Sequence, residues 1–101
     1  MSTSSYGERY EVYDQDYKSA TISVGTSQVE AKATATRDEK RQLVVIYNNS
    51  NSTIYYGPTG VTTSTGIPIV KRQEIAVSAG DLGLYLIAGS ASNSVLVQEW
   101  Y

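Results

Sequence analysis

At 101 residues the chain has room for one domain, and a domain of this size leaves much of its surface in water, so oligomerisation or a partner is the expected source of added stability. It contains no Cys and no His, which removes disulfides, thiolate metal sites, the commonest metal ligand and the commonest general base. The net charge is −2 and the basic residues are scattered, which argues against a nucleic-acid partner and against attraction to an anionic membrane.

Residues 1–19 differ from everything after them. They carry Tyr6, Tyr10, Tyr13 and Tyr17 among acidic and hydroxyl residues, with Met1 and Val12 as the only aliphatic or thioether side chains. This reads as an N-terminal arm preceding a domain of residues 20–101. The tyrosines would line one face of a helix, or fall on both sides of an extended strand. Extended, an arm of this length reaches roughly 60 Å; as a helix it spans about 28 Å. A loose terminus is the ordinary account of such a segment. Against it stands the density of tyrosine, a residue that supplies contact area and a polar tip together. With Glu8 and Glu11 and no apolar centre the segment does not read as a signal peptide, and no later apolar run approaches the roughly 20 residues of a membrane span. A protein made and kept soluble inside a cell, unless exported or released by another route, is expected.

From Ala20 onward the pattern is strands and turns. Ala20, Ile22 and Val24 alternate with Thr21 and Ser23, and Val29, Ala31, Ala33 and Ala35 alternate with polar residues. Residues 37–41 (RDEKR) read as a solvated mixed-charge turn. Between Arg41 and Lys71 no residue is charged. Within that stretch residues 43–47 are apolar on both faces, as in a central strand, and the linker 48–52 (NNSNS) predicts a hairpin into residues 54–56. Residues 58–69 are rich in hydroxyls and glycines and predict a contact loop centred on Thr62, Thr63, Ser64 and Thr65. Ile75 and Val77, then Leu82, Leu84 and Leu86, then Val95 and Val97 alternate again, with turns at 79–81 and 88–93. About 7–9 short strands without a helix after residue 20 predict an all-β fold, a small antiparallel β-sandwich or barrel with an extended N-terminal arm.

No catalytic constellation emerges. Triads and dyads built on His or Cys are impossible, and Lys18, Lys32 and Lys40 lie in polar surroundings. Glu30, Glu74, Asp81 and Glu99 occupy turns or strand positions expected to face water, the ordinary place for a carboxylate. Residues 60–66 (GVTTSTG) have the wrong glycine spacing and no following Lys for a phosphate loop, and Asp14-Gln15-Asp16 lacks the closing Glu of a calcium loop. No cofactor and no metal are expected.

Two stretches, IYNNSNSTIYYGPTGVTTSTGIP at residues 46–68 and LYLIAGSASNSVLVQEW at residues 84–100, resemble a pattern found in small β-rich structural proteins of tailed bacteriophages. The features that carry it are a hairpin ending in Tyr-Gly, the Gly-Val-Thr-Thr-Ser-Thr-Gly loop and a closing Leu-Ile-Ala-Gly hairpin. Where similar sequences tend to place a Pro-Gly turn, this chain has Val70-Lys71-Arg72-Gln73. The resemblance implies a non-enzymatic virion component, a capsid decoration or cement protein on the head surface. Its partners would be the major capsid protein and neighbouring copies of itself, with a trimer favoured. The partner contacts expected are Tyr6, Tyr10, Tyr13 and Tyr17 of the arm and Thr62, Thr63, Ser64 and Thr65 of the loop. Two alternatives stay open: a tail, neck or baseplate component of the same particle, and a carbohydrate-binding sandwich in which Tyr55, Tyr56, Tyr85 or Trp100 stack on sugar rings.

Overall fold

A computed structural model of the chain describes residues 17–34, 40–79 and 82–101. Tyr6, Tyr10, Tyr13, Ala35, residues 37–39 and Asp81 lie outside the described residues. The rest is all β. Eight strands, β1 (Tyr17–Val24), β2 (Val29–Glu30), β3 (Leu43–Asn48), β4 (Ile54–Gly57), β5 (Ile67–Ile69), β6 (Glu74–Val77), β7 (Tyr85–Ala88) and β8 (Asn93–Trp100), form two antiparallel sheets. The first sheet runs β1-β8-β3-β6 and the second β2-β7-β4-β5. This is the strand order of an eight-stranded double-sheet jelly roll. β1 begins at Tyr17, so Tyr17, Lys18 and Ser19, read above as the end of the arm, are paired to Trp100, Glu99 and Gln98 of β8.

The period-2 patterns place the core where they should. Along β8 burial alternates at every residue, with Val95 and Val97 inward, and β3 alternates likewise with Val44 and Ile46 inward. These meet Ile54, Ile69, Leu86 and Ala88 of the second sheet in a core that is wholly aliphatic. Tyr17, Tyr47, Tyr55, Tyr85, Trp100 and Tyr101 all stay out of it, and only Tyr56 packs against its margin.

The predicted hairpins are the main correction. β3 pairs with β6 and β8, whereas β4 pairs with β5 and β7, so residues 49–53 carry the chain from one sheet to the other. The closing pair β7 and β8 is likewise split between sheets. The physical reason lies in two buried asparagines. The Asn48 side chain, fully buried, donates to the carbonyls of Ser52 (2.7 Å) and Ile69 (2.8 Å) and accepts from the N–H (3.1 Å) and hydroxyl (2.6 Å) of Ser50. Asn93 donates to the carbonyls of Val24 (3.0 Å) and Ser90 (2.8 Å). Each supplies the hydrogen bonds that backbone groups lose on leaving a ladder. Since Val24 is in register with Asn93 and Asn48 with Val95, these arches share one end of the sandwich.

β2 is shorter than the alternation of residues 29–35 predicts. Ala31 N–H still donates to the Leu84 carbonyl at 2.7 Å, but its own carbonyl accepts from Arg41, which ends the ladder. Leu82 is exposed and precedes β7 rather than belonging to it.

The turn at residues 70–73 explains how the chain dispenses with Pro-Gly. Gln73 N–H donates to the Val70 carbonyl at 3.1 Å, and Arg72, third in the turn, has φ +64°. A positive φ at that position is the type II geometry that glycine normally serves. Arg72 is held there by its N–H to the Asn48 carbonyl (2.8 Å) and its guanidinium to the side-chain oxygens of Asn49 (2.7 Å) and Asn51 (3.4 Å). Replacing Arg72 by Ala keeps the strain and loses the guanidinium contacts; replacing it by Gly relieves the strain. Urea unfolding should therefore rank Arg72→Gly above Arg72→Ala by about 1 kcal/mol, and equal stability would mean the turn is unstrained.

Candidate functional site

The jelly roll presents its two outer faces very differently. On the first sheet the outward positions of the two central strands are Leu43, Val45 and Tyr47 of β3 and Leu96, Gln98 and Trp100 of β8. The edge strands flank them with Ser19, Thr21 and Ser23 of β1 and with Glu74 and Ala76 of β6. Apolar bulk thus runs down the middle with hydroxyls and a carboxylate at the margins. That is the layout of an interface, with a dry centre and a polar rim. Two shallow clefts mark it, one of about 230 Å³ between Val45, Tyr47, Glu74, Leu96 and Gln98, the other of about 200 Å³ beside Leu43, Trp100 and Tyr101. A strand apolar on both faces is usually covered on both; no described residue forms a layer over this one.

One end of the face is an aromatic corner. Tyr17 stacks on Trp100 with ring centroids 4.3 Å apart and planes 15° from parallel, and Lys18 Nζ lies 5.6 Å from the Tyr101 ring centroid. The Trp100 indole N–H donates to Gln98 Oε1 at 3.2 Å. Of the four arm tyrosines expected at a partner contact, Tyr17 is therefore placed on the margin of this apolar face, and Tyr6, Tyr10 and Tyr13 lie outside the described residues.

The second sheet has its outer face partly covered by its own chain. Residues 58–66, between β4 and β5, fold back over it, and Val61 is the buried contact. Room for Val61 comes from two facing glycines: a Cβ on Gly57 or on Gly66 would stand 2.9 Å from Val61 Cγ2, and one on Gly66 also 2.7 Å from Tyr55 Cβ. Gln28 clasps the loop from the side, donating to Thr59 Oγ1 (3.3 Å) and accepting from Gly60 N–H (2.7 Å). Within the loop, Thr62 N–H donates to Thr65 Oγ1 at 2.9 Å, while Thr62 Oγ1 accepts from the N–H groups of Ser64 (3.2 Å) and Thr65 (3.1 Å). Thr62 and Thr65 therefore spend their hydroxyls on the turn itself. Thr63 and Ser64 keep theirs for solvent, and Thr63 borders a cleft with Tyr55. Among the described residues, Thr62, Thr63, Ser64 and Thr65 belong to the second-sheet side and Tyr17 to the first, so this one arm tyrosine and the loop lie apart.

The carboxylates do not converge. Glu30 pairs with Lys32 at 3.7 Å, Glu74 is exposed at the rim of the first-sheet face, and no group of three acidic residues gathers among the described residues. Glu99 and Arg41 correct the reading of both as solvated charges: neither side chain is exposed, and Arg41 Nη1 donates to Glu99 Oε2 at 2.8 Å. The strand period is the cause, since Glu99 shares the inward face of β8 with Val95 and Val97. Leu43, Val45, Tyr47 and Leu96 were not picked out as contact residues; their signal was the alternation itself, which leaves an apolar residue at every outward position of β3.

Breaking the buried pair at one partner strands a charge, at a cost of about 3–5 kcal/mol, whereas replacing both by apolar residues is far milder. Chemical denaturation of Glu99→Leu, Arg41→Met and the double variant should find the double variant more stable than either single one. Additive losses would show that the two side chains act independently. No protein-family model, curated protein or solved structure matches the chain, so function must be argued from the surfaces themselves.

Proposed function

We propose that this chain is a non-enzymatic structural protein of a tailed-phage particle, a capsid decoration or cement protein that binds the assembled head as an oligomer and stabilises it. The observation that carries the reading is the half-buried aliphatic and aromatic outer face of the first sheet, with its polar margins and the Tyr17–Trp100 corner. Tyrosine and tryptophan are the side chains that interfaces favour, and here nearly every described one is kept out of the core. The resemblance of residues 46–68 and 84–100 to small phage structural proteins supports the particle context.

On this reading the mechanism is thermodynamic. A protein that binds only the assembled shell stabilises that shell by mass action, and repeated contacts from an oligomer turn modest single-site affinity into firm retention. Neighbouring copies and the major capsid protein share the contact surface. β1 begins at Tyr17, on the margin of the proposed contact face, and Tyr6, Tyr10 and Tyr13 precede it in the chain as the further contacts this reading proposes.

The test is co-sedimentation of the purified protein with heads and, separately, with tails of its source particle. Heads should carry it at a fixed copy number, and tails should not; retention on tails alone would overturn the assignment. Tyr47→Thr and Leu96→Thr retain strand propensity while removing apolar area. Each should lower head retention by about tenfold or more with little change in melting temperature. Unchanged retention in both would show that docking uses another surface.

A further inference from the structure

We propose that the cleft between Ser52, Thr53, Tyr55, Thr63, Gly89 and Ser90 is a binding site for a neutral carbohydrate. It lies on the second-sheet side, away from the proposed docking face, and has a volume of about 400 Å³. That volume is within the range of small-molecule sites, which run from about 300 to 1,000 Å³.

Three features select the ligand class. The first is charge. The cleft draws on two stretches, residues 42–70 and 82–98, in which no residue is charged, and all six lining residues are neutral. Arg72, whose guanidinium keeps its charge while bonding Asn49 and Asn51, does not line the cleft. A phosphate, carboxylate or ammonium ligand would have no counter-charge here. The second is hydroxyl supply. The side chains of Thr53, Tyr55 and Thr63 hold no hydrogen bond to a described residue, while Ser52 and Ser90 share one at 3.2 Å that leaves further lone pairs free. A purely apolar ligand would desolvate these groups without return. The third is Tyr55, a partly buried aromatic whose ring is the surface on which the C–H face of a sugar packs and whose hydroxyl reaches a sugar oxygen.

The walls are fixed before any ligand arrives. Ser52 is held through its carbonyl by Asn48, Ser90 by Asn93 at its carbonyl (2.8 Å) and its Oγ (3.4 Å), and Thr63 by the Thr62–Thr65 hydroxyl bonds. Preorganised polar groups lower the ordering cost that otherwise consumes affinity in shallow sites. Gly89 completes the argument from the opposite direction. A Cβ there meets no atom within 4 Å, so the space beside Gly89 is open to a ligand.

That vacancy also gives a clean blocking variant. Gly89→Leu adds bulk at a lining residue whose Cβ would meet no protein atom within 4 Å, and Thr63→Ala removes one exposed hydroxyl. Saturation-transfer NMR and calorimetry on the free protein, with lactose, maltotriose, mannotriose and chitotriose as probes and sialyllactose as the anionic comparison, test the site without involving any particle. At least one neutral probe should bind with a dissociation constant on the order of millimolar, Gly89→Leu should weaken it by about tenfold or more, and Thr63→Ala by a smaller factor. The melting temperature should stay unchanged in both. No binding by any neutral probe, binding that survives Gly89→Leu, or sialyllactose binding more tightly than lactose would each overturn the proposal. Because the first-sheet face takes no part, loss of head binding and loss of sugar binding are separate results.

Discussion

Arg41 and Glu99 meet at 2.8 Å with neither side chain open to water, and the contacts around them organise one whole end of the sandwich. Arg41 also donates to the carbonyls of Ala31 and Leu82, each at 2.8 Å, and Glu99 Oε1 accepts from Ala33 N–H at 3.0 Å. Strand β8, the entrance to β3, the segment after β2 and the approach to β7 are thereby fixed to one another. Such a pair does little for net stability relative to apolar residues of the same volume; what it supplies is a single low-energy arrangement, because every misplacement leaves a buried charge unpaired. The effect passes through the sheet to the surface. Consecutive strand residues point to opposite faces, so anchoring Glu99 inward sets Trp100 outward, where it meets Tyr17 and Leu43. The Gln42 N–H to Trp100 carbonyl bond at 2.8 Å secures the same corner from the backbone.

At the other end asparagine takes the part that the ion pair takes here. Asn48 and Asn93 are neutral, so the arches they hold need no buried counter-charge, and the charged group that meets the first arch, Arg72, bonds it from the exposed side. The second sheet then disposes of its outer face by folding its own loop onto it, with Val61 seated over Gly57 and Gly66. The first sheet does nothing comparable among the described residues. A molecule built this way has one outer face with apolar side chains down its middle and one bearing a small polar cleft, and the two are separated by the thickness of the sandwich.

The strands and the inward residues of the long ones were legible because burial follows a period of two, and β3 and β8 keep it without a break. Partner choice was not legible. The polar linker 48–52 satisfies a hairpin and an arch equally well, and only the tertiary position of Ile69, whose carbonyl takes the second Asn48 bond, decides between them. The ion pair was hidden for a different reason. Parity along β8 places Glu99 inside, but charge argues the opposite, and the partner that reconciles the two is far away in sequence. For the candidate surfaces, Tyr17 and Thr63 were singled out from composition, while Tyr47 was absorbed into the expectation of a central strand apolar on both faces and Leu96 was passed over between Val95 and Val97. Gly57 and Gly66 read as turn residues; their service to Val61 depends on a fold-back that no local pattern announces.

The sheet edges are poorly suited to strand addition. In the second sheet one edge strand is only two residues long and the other carries Pro68, which lacks the N–H a continuing ladder would need. In the first sheet β6 is short and begins with an exposed Glu74, and β1, the one long edge, turns small hydroxyl side chains outward. An added strand at β1 would gain backbone hydrogen bonds but little apolar burial. The central strands hold the opposite combination, with their backbone groups already paired on both sides and their outward side chains apolar. A partner that sits across β3 and β8 therefore buries Val45, Tyr47 and Leu96 without disturbing a single ladder bond, and it meets the Tyr17–Trp100 stack at the point where the N-terminal segment enters the sheet. The apolar centre of the face and the start of β1 coincide at that corner.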